Sequence, residues 1–235
     1  MASADPEGTR LDWSALTLSL KVAGWATAIN LVLGVSLGAL LARHRFPGRE
    51  LLDSLLTLPM VLPPTVLGYY LLVVIGRNGP LGAWLQSSFG INLVFTWQAA
   101  VIAAAIASLP LVFKPARAAF EGVDSQLEQA ARTLGVAEMA VFFRVSLPLA
   151  WRGILAGLLL AFARAMGEFG ATMMVAGSIP GRTQTLSIAI YEAVQAGQDD
   201  KANMLVVLTS VVCIVVLLVA ARLVGHRQRE LRDVA

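Results

Sequence analysis

Arg164 and Glu168 are charged residues placed within an otherwise apolar stretch of the chain. Residues four positions apart share one face of a helix, so the guanidinium and the carboxylate are predicted to pair. A single charge at the centre of a membrane helix costs roughly 2.5–3.5 kcal/mol on insertion scales, and pairing offsets that cost. Two interpretations remain open. The pair is either a structural contact inside a helix bundle, or part of a gate or path that also includes Thr172.

Prolines interrupt a second apolar stretch, at Pro59, Pro63 and Pro64. Each proline removes a backbone donor and frees a carbonyl, which cannot remain unpaired in lipid. The sequence therefore predicts a broken helix. It either lines a cavity, where Thr65 and Gly68 offer a hydroxyl and backbone groups to a passing ligand, or packs as a kink without ligand contact.

Apolar runs make up most of the chain, which is 57% hydrophobic and 14% charged, with a mean hydropathy of +0.72. A helix needs roughly 20 apolar residues to cross the hydrocarbon core of a bilayer. The sequence therefore predicts an all-α, polytopic membrane protein with a single domain over residues 1–235. Five spans are predicted, at about Val22–Ala42, Leu51–Ile75, Leu93–Phe113, Ile154–Ala176 and Met204–Val224.

Lys and Arg residues are concentrated in alternate segments between these spans, and such an excess marks the cytoplasmic side. The richer set comprises Arg43, Arg45, Arg49, Lys114, Arg117, Arg132, Arg144, Arg152, Arg222, Arg227, Arg229 and Arg232. The poorer set comprises Arg10, Lys21, Arg77, Arg182 and Lys201. We therefore predict that the N-terminus lies outside and the C-terminus inside, in agreement with an odd number of spans. A cleavable signal is not predicted, because the first residues are acidic and polar.

Residues 116–148 form the longest polar segment on the predicted cytoplasmic side. Asp124 or Ser125 is suited to cap a helix, and Glu128 follows Ser125 at the spacing of a capping box. Good helix formers fill the run to Leu134, and Gly135 is predicted to end the helix or turn the chain. A second helix is predicted at about 137–145, ended by a proline, with an apolar stripe of Met139, Phe142 and Phe143.

Several function classes are disfavoured by the residues present. The basic balance of the chain is assigned to membrane orientation and not to nucleic-acid binding. Cys213 is a single cysteine in an apolar run, which excludes a disulfide framework or a thiolate metal site. A membrane enzyme would need converging catalytic groups, yet His44 and His226 both fall on predicted cytoplasmic segments. A phosphate-binding G-x-x-x-x-G-K-[ST] run is absent from the sequence, so ATP-driven work would require another chain.

The cytoplasmic segment resembles the EAA loop of ABC-importer permeases: Glu-Ala-Ala, three residues, Gly, nine residues, Ile, any residue, Leu-Pro. The matching residues here are Gln129, Ala130, Ala131, Gly135, Val145, Leu147 and Pro148. The spacing is kept throughout, while Gln129 and Val145 replace the family's Glu and Ile. Glu128 supplies a carboxylate one residue early, on a different helix face.

Four motifs together look like those of molybdate permeases in the oxyanion branch of this superfamily. They are the Leu-Pro-Met-Val-Leu-Pro-Pro-Thr-Val run at 58–66, and residues 127–135, 162–172 and 179–185. The resemblance runs from about Leu18 to the C-terminus. It implies an ABC importer type I permease fold in the bacterial inner membrane, with the segment 116–148 as a coupling helix seated on an ATPase subunit.

The same resemblance implies the partners of the chain. They are a second copy of itself, two cytoplasmic ATPases that bind ATP and magnesium, and an extracytoplasmic molybdate-binding protein. No catalytic residue, metal ligand or cofactor is expected in this chain. The residues expected at the ATPase contact are Glu128, Gln129, Ala130, Ala131, Arg132, Gly135, Leu147 and Pro148. Those expected along the translocation path or gate are Pro63, Pro64, Thr65, Gly68, Arg164, Glu168 and Thr172.

Alternatives remain for the substrate and for the outer segment. Tungstate, sulfate and thiosulfate are the rival oxyanions, and a stand-alone channel or secondary carrier is a further class. Residues 176–185 are predicted to form a turn leading into an amphipathic helix near Leu186–Val194. That segment could dock a binding protein or close an outer gate, and its chemistry does not separate the two.

Overall fold

Helices form all the regular structure of the part of the chain that the computed structural model describes, residues 13–44 and 46–232. Arg10 and Arg45, used in the orientation prediction, lie outside the described residues, as do both chain ends. The helices are α1 (Trp13–Arg43), α2 (Arg49–Val61), α3 (Pro64–Ile75), α4 (Pro80–Phe89), α5 (Trp97–Glu121), α6 (Ser125–Thr133), α7 (Glu138–Val141), α8 (Leu147–Met166), α9 (Gly170–Ala176), α10 (Leu186–Gln195) and α11 (Asp199–Arg232). A π-helical turn, Phe142–Ser146, joins α7 to α8.

Four helical segments are long and apolar enough to cross a membrane: Trp13–Arg43, Trp97–Glu121, Glu138–Met166 and Asp199–Val219. The pair α2 and α3, broken around Pro63, makes a fifth candidate if it is counted as one span. The all-α polytopic class is thus confirmed, and so is the helix break at the prolines of the second apolar stretch. The predicted fourth span, Ile154–Ala176, is wrong in its position. The helix there begins before α8, at Glu138, and ends at Met166.

Proline 148 does not end the second loop helix, contrary to expectation. The π turn carries the chain from α7 directly into α8, with the Leu147 N–H donating to the Phe142 carbonyl. A π turn pairs residues five apart, so the hydrogen-bond register changes immediately before Pro148. The proline, which has no N–H, therefore falls in the first turn of α8, where an α-helix tolerates it.

The chain divides into two compact units, each built from three separate segments. The expectation of a single domain stays a prediction. The described residues of unit 1 are 13–26, 62–107 and 163–215, and those of unit 2 are 27–61, 108–162 and 216–232.

Unit 1 is built around the packing of α3 on α9. Gly68 lies so close to α9 that a Cβ there would be 2.7 Å from the Met174 Cβ. Gly170, at the start of α9, faces Pro64 in the same way, at 2.6 Å from its Cβ. Small residues of this kind let membrane helices approach closely and gain van der Waals contact.

The segment before α10 is also held within unit 1. The Ser19 hydroxyl of α1 accepts a hydrogen bond from the Leu186 N–H at 2.8 Å, which satisfies a donor at the beginning of α10. The predicted helix near Leu186–Val194 is therefore confirmed as α10. Its predicted role at the outer side stays a prediction.

Unit 2 has its core between α1, α5 and α8. Glycines at the helix contacts keep the backbones close, as at Gly157, where a Cβ would lie 2.7 Å from the Leu111 carbonyl oxygen. One buried polar contact, from the Asn30 amide to the Ser108 hydroxyl at 2.9 Å, joins α1 to α5. The buried apolar residues of this core are Val35, Ala39, Val112, Ala116, Phe120, Ala150, Ile154 and Ala161.

Gly38 of α1 offers a direct test of this close packing. A methyl group there would lie 2.9 Å from the Arg117 backbone nitrogen and 3.0 Å from the Ala116 Cβ, so backbone must move. We expect Gly38→Ala to lower the free energy of unfolding by about 1–3 kcal/mol, as overpacking does. Gly24→Ala, on the same helix, is the matched control, since no described heavy atom lies within 4 Å of its added Cβ.

The control is expected to be neutral or to stabilise by up to about 1 kcal/mol, because Ala is the better helix former. Unfolding of the purified protein in detergent, followed by tryptophan fluorescence, measures both changes. Equal effects of the two substitutions would contradict the packing described for α1 and α5.

Candidate functional site

The polar loop folds as two short helices separated by a glycine, as predicted. The Asp124 carboxylate caps α6 by accepting from the Gln126 N–H at 2.9 Å. The predicted capping box from Ser125 to Glu128 is therefore wrong, because Glu128 is engaged elsewhere. Asp124 precedes α6 and reaches a free N–H of its first turn, which is the ordinary role of an N-cap aspartate.

Gly135 provides the turn between the two helices. Its φ of +77° lies in the left-handed region, which glycine adopts without the steric cost of a Cβ. Its N–H donates to the Arg132 carbonyl at 2.9 Å, and the next N–H, of Val136, donates to the Ala131 carbonyl at 3.2 Å. These two bonds close the end of α6, so the predicted stop at Gly135 is confirmed.

One face of α6 in this loop contacts other elements of unit 2. The Arg43 guanidinium, at the end of α1, donates to the Glu128 carboxylate at 2.6 Å. The Ser146 hydroxyl of the π turn also donates to that carboxylate. The Glu128 side chain is only 15% exposed. Glu128, expected among the ATPase contacts, is thus occupied by an intramolecular ion pair.

Several other loop side chains are apolar and exposed on the protein surface. We call four of them the loop patch: Leu127, Leu134, Met139 and Phe143. Leu134 is 83% exposed and Met139 is 68% exposed. Of the predicted stripe, only Phe142 is half-buried, stacked on Phe120 with ring centroids 5.7 Å apart.

The other residues expected at the ATPase contact are mostly exposed. Gln129, Ala130, Gly135 and Pro148 are exposed, whereas Ala131 and Leu147 are half-buried. Arg132 is exposed and pairs with Glu138, from Nε to Oε1 at 2.5 Å. That hydrogen bond raises the pKa of the Arg132 guanidinium above its ordinary value.

A charge network that the sequence reasoning missed lies at the ends of α2 and α5. Asp53 accepts from Arg117 at 2.6 Å and from Lys114 at 2.5 Å. Glu121 accepts from Arg49 at 2.6 Å and from Arg117 at 2.9 Å. From the sequence alone, these cations are predicted only to mark the cytoplasmic side. The sequence signal for part of this network is the i, i+4 spacing of Arg117 and Glu121, which places them on one helix face.

In unit 1, Arg164 and Glu168 form the predicted pair, with Nη1 and Oε2 2.6 Å apart. The helical reasoning behind the prediction is wrong, because α8 ends at Met166 and Glu168 lies in the break before α9. Glu168 is 2% exposed, and its other carboxylate oxygen accepts from the Ala171 N–H at 3.0 Å. The Glu168 carboxylate therefore has two roles. It neutralises Arg164, and it accepts from an N–H in the first turn of α9.

The remaining candidate path residues lie nearby in unit 1. Pro63 is the N-cap residue of α3, and Pro64 is its first residue, where the missing N–H costs least. Thr65 is exposed, whereas Gly68 is buried in the contact with α9. Thr172 is buried, and its hydroxyl has no hydrogen-bond partner among the described residues. A transport role for these residues stays a prediction.

Comparison with known proteins agrees with this architecture. Residues 34–233 match the model of the family described as the binding-protein-dependent transport system inner membrane component. The chain belongs to that family, whose members are pore-forming, multi-pass permeases of the inner membrane.

Two relatives and one solved structure are similar to this chain over most of its length. The molybdenum transport system permease protein ModB of Escherichia coli K12 is 47% identical over 221 residues, 94% of each chain. The sulfate transport system permease protein CysW of Synechocystis is 37% identical over 94% of this chain and 81% of its own. A structure of the MetNI methionine ABC transporter matches with a TM-score of 0.70 at 16% identity, covering 94% of this chain and 98% of that one. This likeness shows that the fold is that of type I ABC-importer permeases.

The dual role of Glu168 can be separated by substitution. Glu168→Gln removes the charge but keeps an oxygen that can accept from the Ala171 N–H, whereas Glu168→Leu removes both. We expect Glu168→Leu to be the less stable variant by about 1–3 kcal/mol, the cost of a buried donor left unpaired. Detergent unfolding curves of the two variants measure the difference.

The ion pair between Glu168 and Arg164 is tested by reversing one or both charges. Arg164→Glu places two carboxylates together and should be more damaging to folded yield than the exchange Arg164→Glu/Glu168→Arg, which restores opposite charges. The exchange should still be less stable than the parent, because arginine cannot accept from Ala171. Equal damage from reversal and exchange would contradict a paired state.

Proposed function

We propose that this chain is the membrane-spanning subunit of an ATP-driven importer that carries molybdate into the cytoplasm. It would work as a homodimer, with two cytoplasmic ATPase subunits and an extracytoplasmic molybdate-binding protein. In this proposal the chain itself is not an enzyme and carries no cofactor, and ATP with magnesium is bound by the ATPase subunits. The N-terminus would lie outside, and the loop and the C-terminus inside.

The observation that carries the proposal is the folded loop between α5 and α8. It is a pair of short helices whose loop patch exposes large apolar side chains. Leu127 and Leu134 lie outside the candidate membrane spans of the described residues, whereas Met139 and Phe143 lie in the first turns of the segment Glu138–Met166. Exposed apolar groups of this kind mark sites of protein–protein contact. The match to the EAA spacing supports an ATPase subunit as this partner, with the loop as the coupling helix.

The choice of molybdate rests on the relatives. The Escherichia coli ModB relative is named for molybdenum transport, and its similarity covers almost the whole of both chains. Sulfate is the second candidate, favoured by the 37% identity to the Synechocystis CysW relative. Tungstate has the same tetrahedral shape and charge as molybdate and is a further possible cargo.

The pair Arg164–Glu168 fits a gate better than a fixed anion site. The carboxylate neutralises the arginine at 2.6 Å, so a passing oxyanion would not be held by an uncompensated positive charge. A transport path must release its cargo, and paired charges that rearrange with the helices meet that need. In this proposal Pro63, Pro64, Thr65, Gly68 and Thr172 belong to the same path.

The loop patch supplies a test of ATPase docking. Leu134→Asp removes the most exposed apolar side chain of the loop patch and adds a charge, so we expect co-purification of the ATPase subunit to fall about tenfold or more, as for a hot-spot residue. Thr133→Asp adds the same charge one residue away without removing apolar surface, and should have a much smaller effect. Normal co-purification with the Leu134 variant would contradict the docking proposal.

The substrate is tested with the whole complex in liposomes, together with its cognate binding protein. We expect molybdate to stimulate ATP hydrolysis and to accumulate inside the vesicles, with sulfate at equal concentration giving little of either. Stimulation by sulfate in preference to molybdate would assign the chain to the second candidate. Uptake that continues without ATP would indicate a channel or a secondary carrier instead.

A further inference from the structure

Glu128 occupies the part of the loop where a carboxylate is expected to face the ATPase, yet its contacts are all within unit 2. One carboxylate oxygen, Oε1, receives both the Arg43 guanidinium and the Ser146 hydroxyl. Arg43 also donates to the Ser146 hydroxyl oxygen, so the three side chains form a closed triangle. We call this set, Arg43, Glu128 and Ser146, the latch.

The latch joins three different elements. Arg43 is the last residue of α1, Glu128 lies in the first turn of α6, and Ser146 ends the π turn that leads into α8. The Arg43 guanidinium additionally lies over the Phe142 ring of the π turn, 5.1 Å from its centroid. A guanidinium has a planar fork of donors and a flat face, so it can bind the carboxylate and the ring together.

Burial separates the latch from the other ion pairs of the same loop. The Ser146 residue is fully buried, and the side chains of Glu128 and Arg43 are 15% and 25% exposed. The nearby Arg132–Glu138 pair is 39% and 66% exposed, and the Arg132 guanidinium also lies 3.5 Å from the other Glu128 oxygen, Oε2. Ion pairs on an exposed surface contribute little, whereas removing one member of a partly buried pair leaves a charge that water cannot fully solvate.

We propose that Arg43, Glu128 and Ser146 are positioning residues, which hold α6 against α1 and the start of α8 so that force applied to the loop reaches the membrane helices. The role of the Glu128 carboxylate is thus to hold the loop on its own chain, while the ATPase contact is left to the exposed side chains. This inference rests on the proposed function, because it assumes that an ATPase subunit acts on the loop.

The two roles considered for Glu128, contact with the ATPase and positioning of the loop, predict different effects of substitution. If Glu128 contacts the ATPase, its removal should weaken docking, and removal of Arg43 should not. If the latch positions the loop, removal of either residue should leave the ATPase bound and active but should lower the amount of molybdate moved for each ATP hydrolysed. We expect that ratio to fall about tenfold in Arg43→Ala and in Glu128→Ala, within the usual range of coupling between sites.

The experiment uses the reconstituted complex of permease, ATPase and binding protein. The variants are Arg43→Ala, Glu128→Ala, Ser146→Ala and the exchange Arg43→Glu/Glu128→Arg. Glu138→Gln is the matched control, because it removes a carboxylate from the exposed pair on the same loop. The exchange should recover most of the lost ratio, and the control should match the parent.

A second measurement reports on the loop without requiring transport. Spin labels at Leu40 of α1 and Gln126 of α6, in a Cys213→Ala background, give the distance between the two helices. We expect a narrow distribution in the parent and in the exchange variant, and a broad one in either alanine variant.

Several outcomes would overturn the inference. They are loss of ATPase co-purification in Glu128→Ala but not in Arg43→Ala, an unchanged transport ratio in both alanine variants, or unchanged narrow distances in both. Failure of the parent complex to move molybdate would instead count against the proposed function, while the spin-label distances would still decide whether the latch holds the loop.

Discussion

Glu128 and Glu168 are among the described carboxylates that are largely withdrawn from water, and each is held by arginine together with a further donor. Glu128 pairs with Arg43 at 2.6 Å and with Arg132 at 3.5 Å and accepts from the Ser146 hydroxyl, while Glu168 pairs with Arg164 and accepts from the Ala171 N–H. A carboxylate removed from water must regain the lost hydration through such contacts. Removing either the carboxylate or its arginine would leave a charge that is poorly solvated. These contacts therefore hold α6 and the start of α9 in place against the elements that supply their partners.

Close helix contact is the second constraint, and glycine and alanine provide it. In lipid, helices gain nothing from hiding apolar side chains, so association depends on tight packing and on polar contacts. Gly68 against α9 and Gly38 against α5 bring backbones near enough for that packing within their respective units. The buried contact from Asn30 to Ser108 adds a polar link in unit 2.

The helical class, the broken second span and the two-helix loop could all be predicted from the sequence. Each depends on local chemistry: apolar run length, proline positions, and the glycine at 135 with its left-handed backbone. The end of the fourth span could not be placed, because apolar residues continue on both sides of residues 167–170 and a single glutamate there is also compatible with an unbroken helix. The break is seen only in the folded backbone, where the Glu168 carboxylate accepts from the Ala171 N–H three residues later.

The ion pair of Glu128 with Arg43 also could not be predicted from the neighbouring sequence. Its spacing from Ser125 fits a capping box, but its partner Arg43 lies 85 residues away in the chain. The π turn is similar, since nothing in the composition of Phe142–Ser146 distinguishes it from an ordinary α-helix ended by Pro148. Long-range ion pairs and changes of helical register are properties of the packed structure.

The ion pairs of unit 2 also bear on how cargo is released. Five cations, Arg43, Arg49, Lys114, Arg117 and Arg132, face four carboxylates, Asp53, Glu121, Glu128 and Glu138. Their sum is one net positive charge, so this group creates little attractive potential for a multiply charged anion. Within this group each basic side chain already has a carboxylate partner, so none of the five offers an uncompensated charge to hold a passing oxyanion.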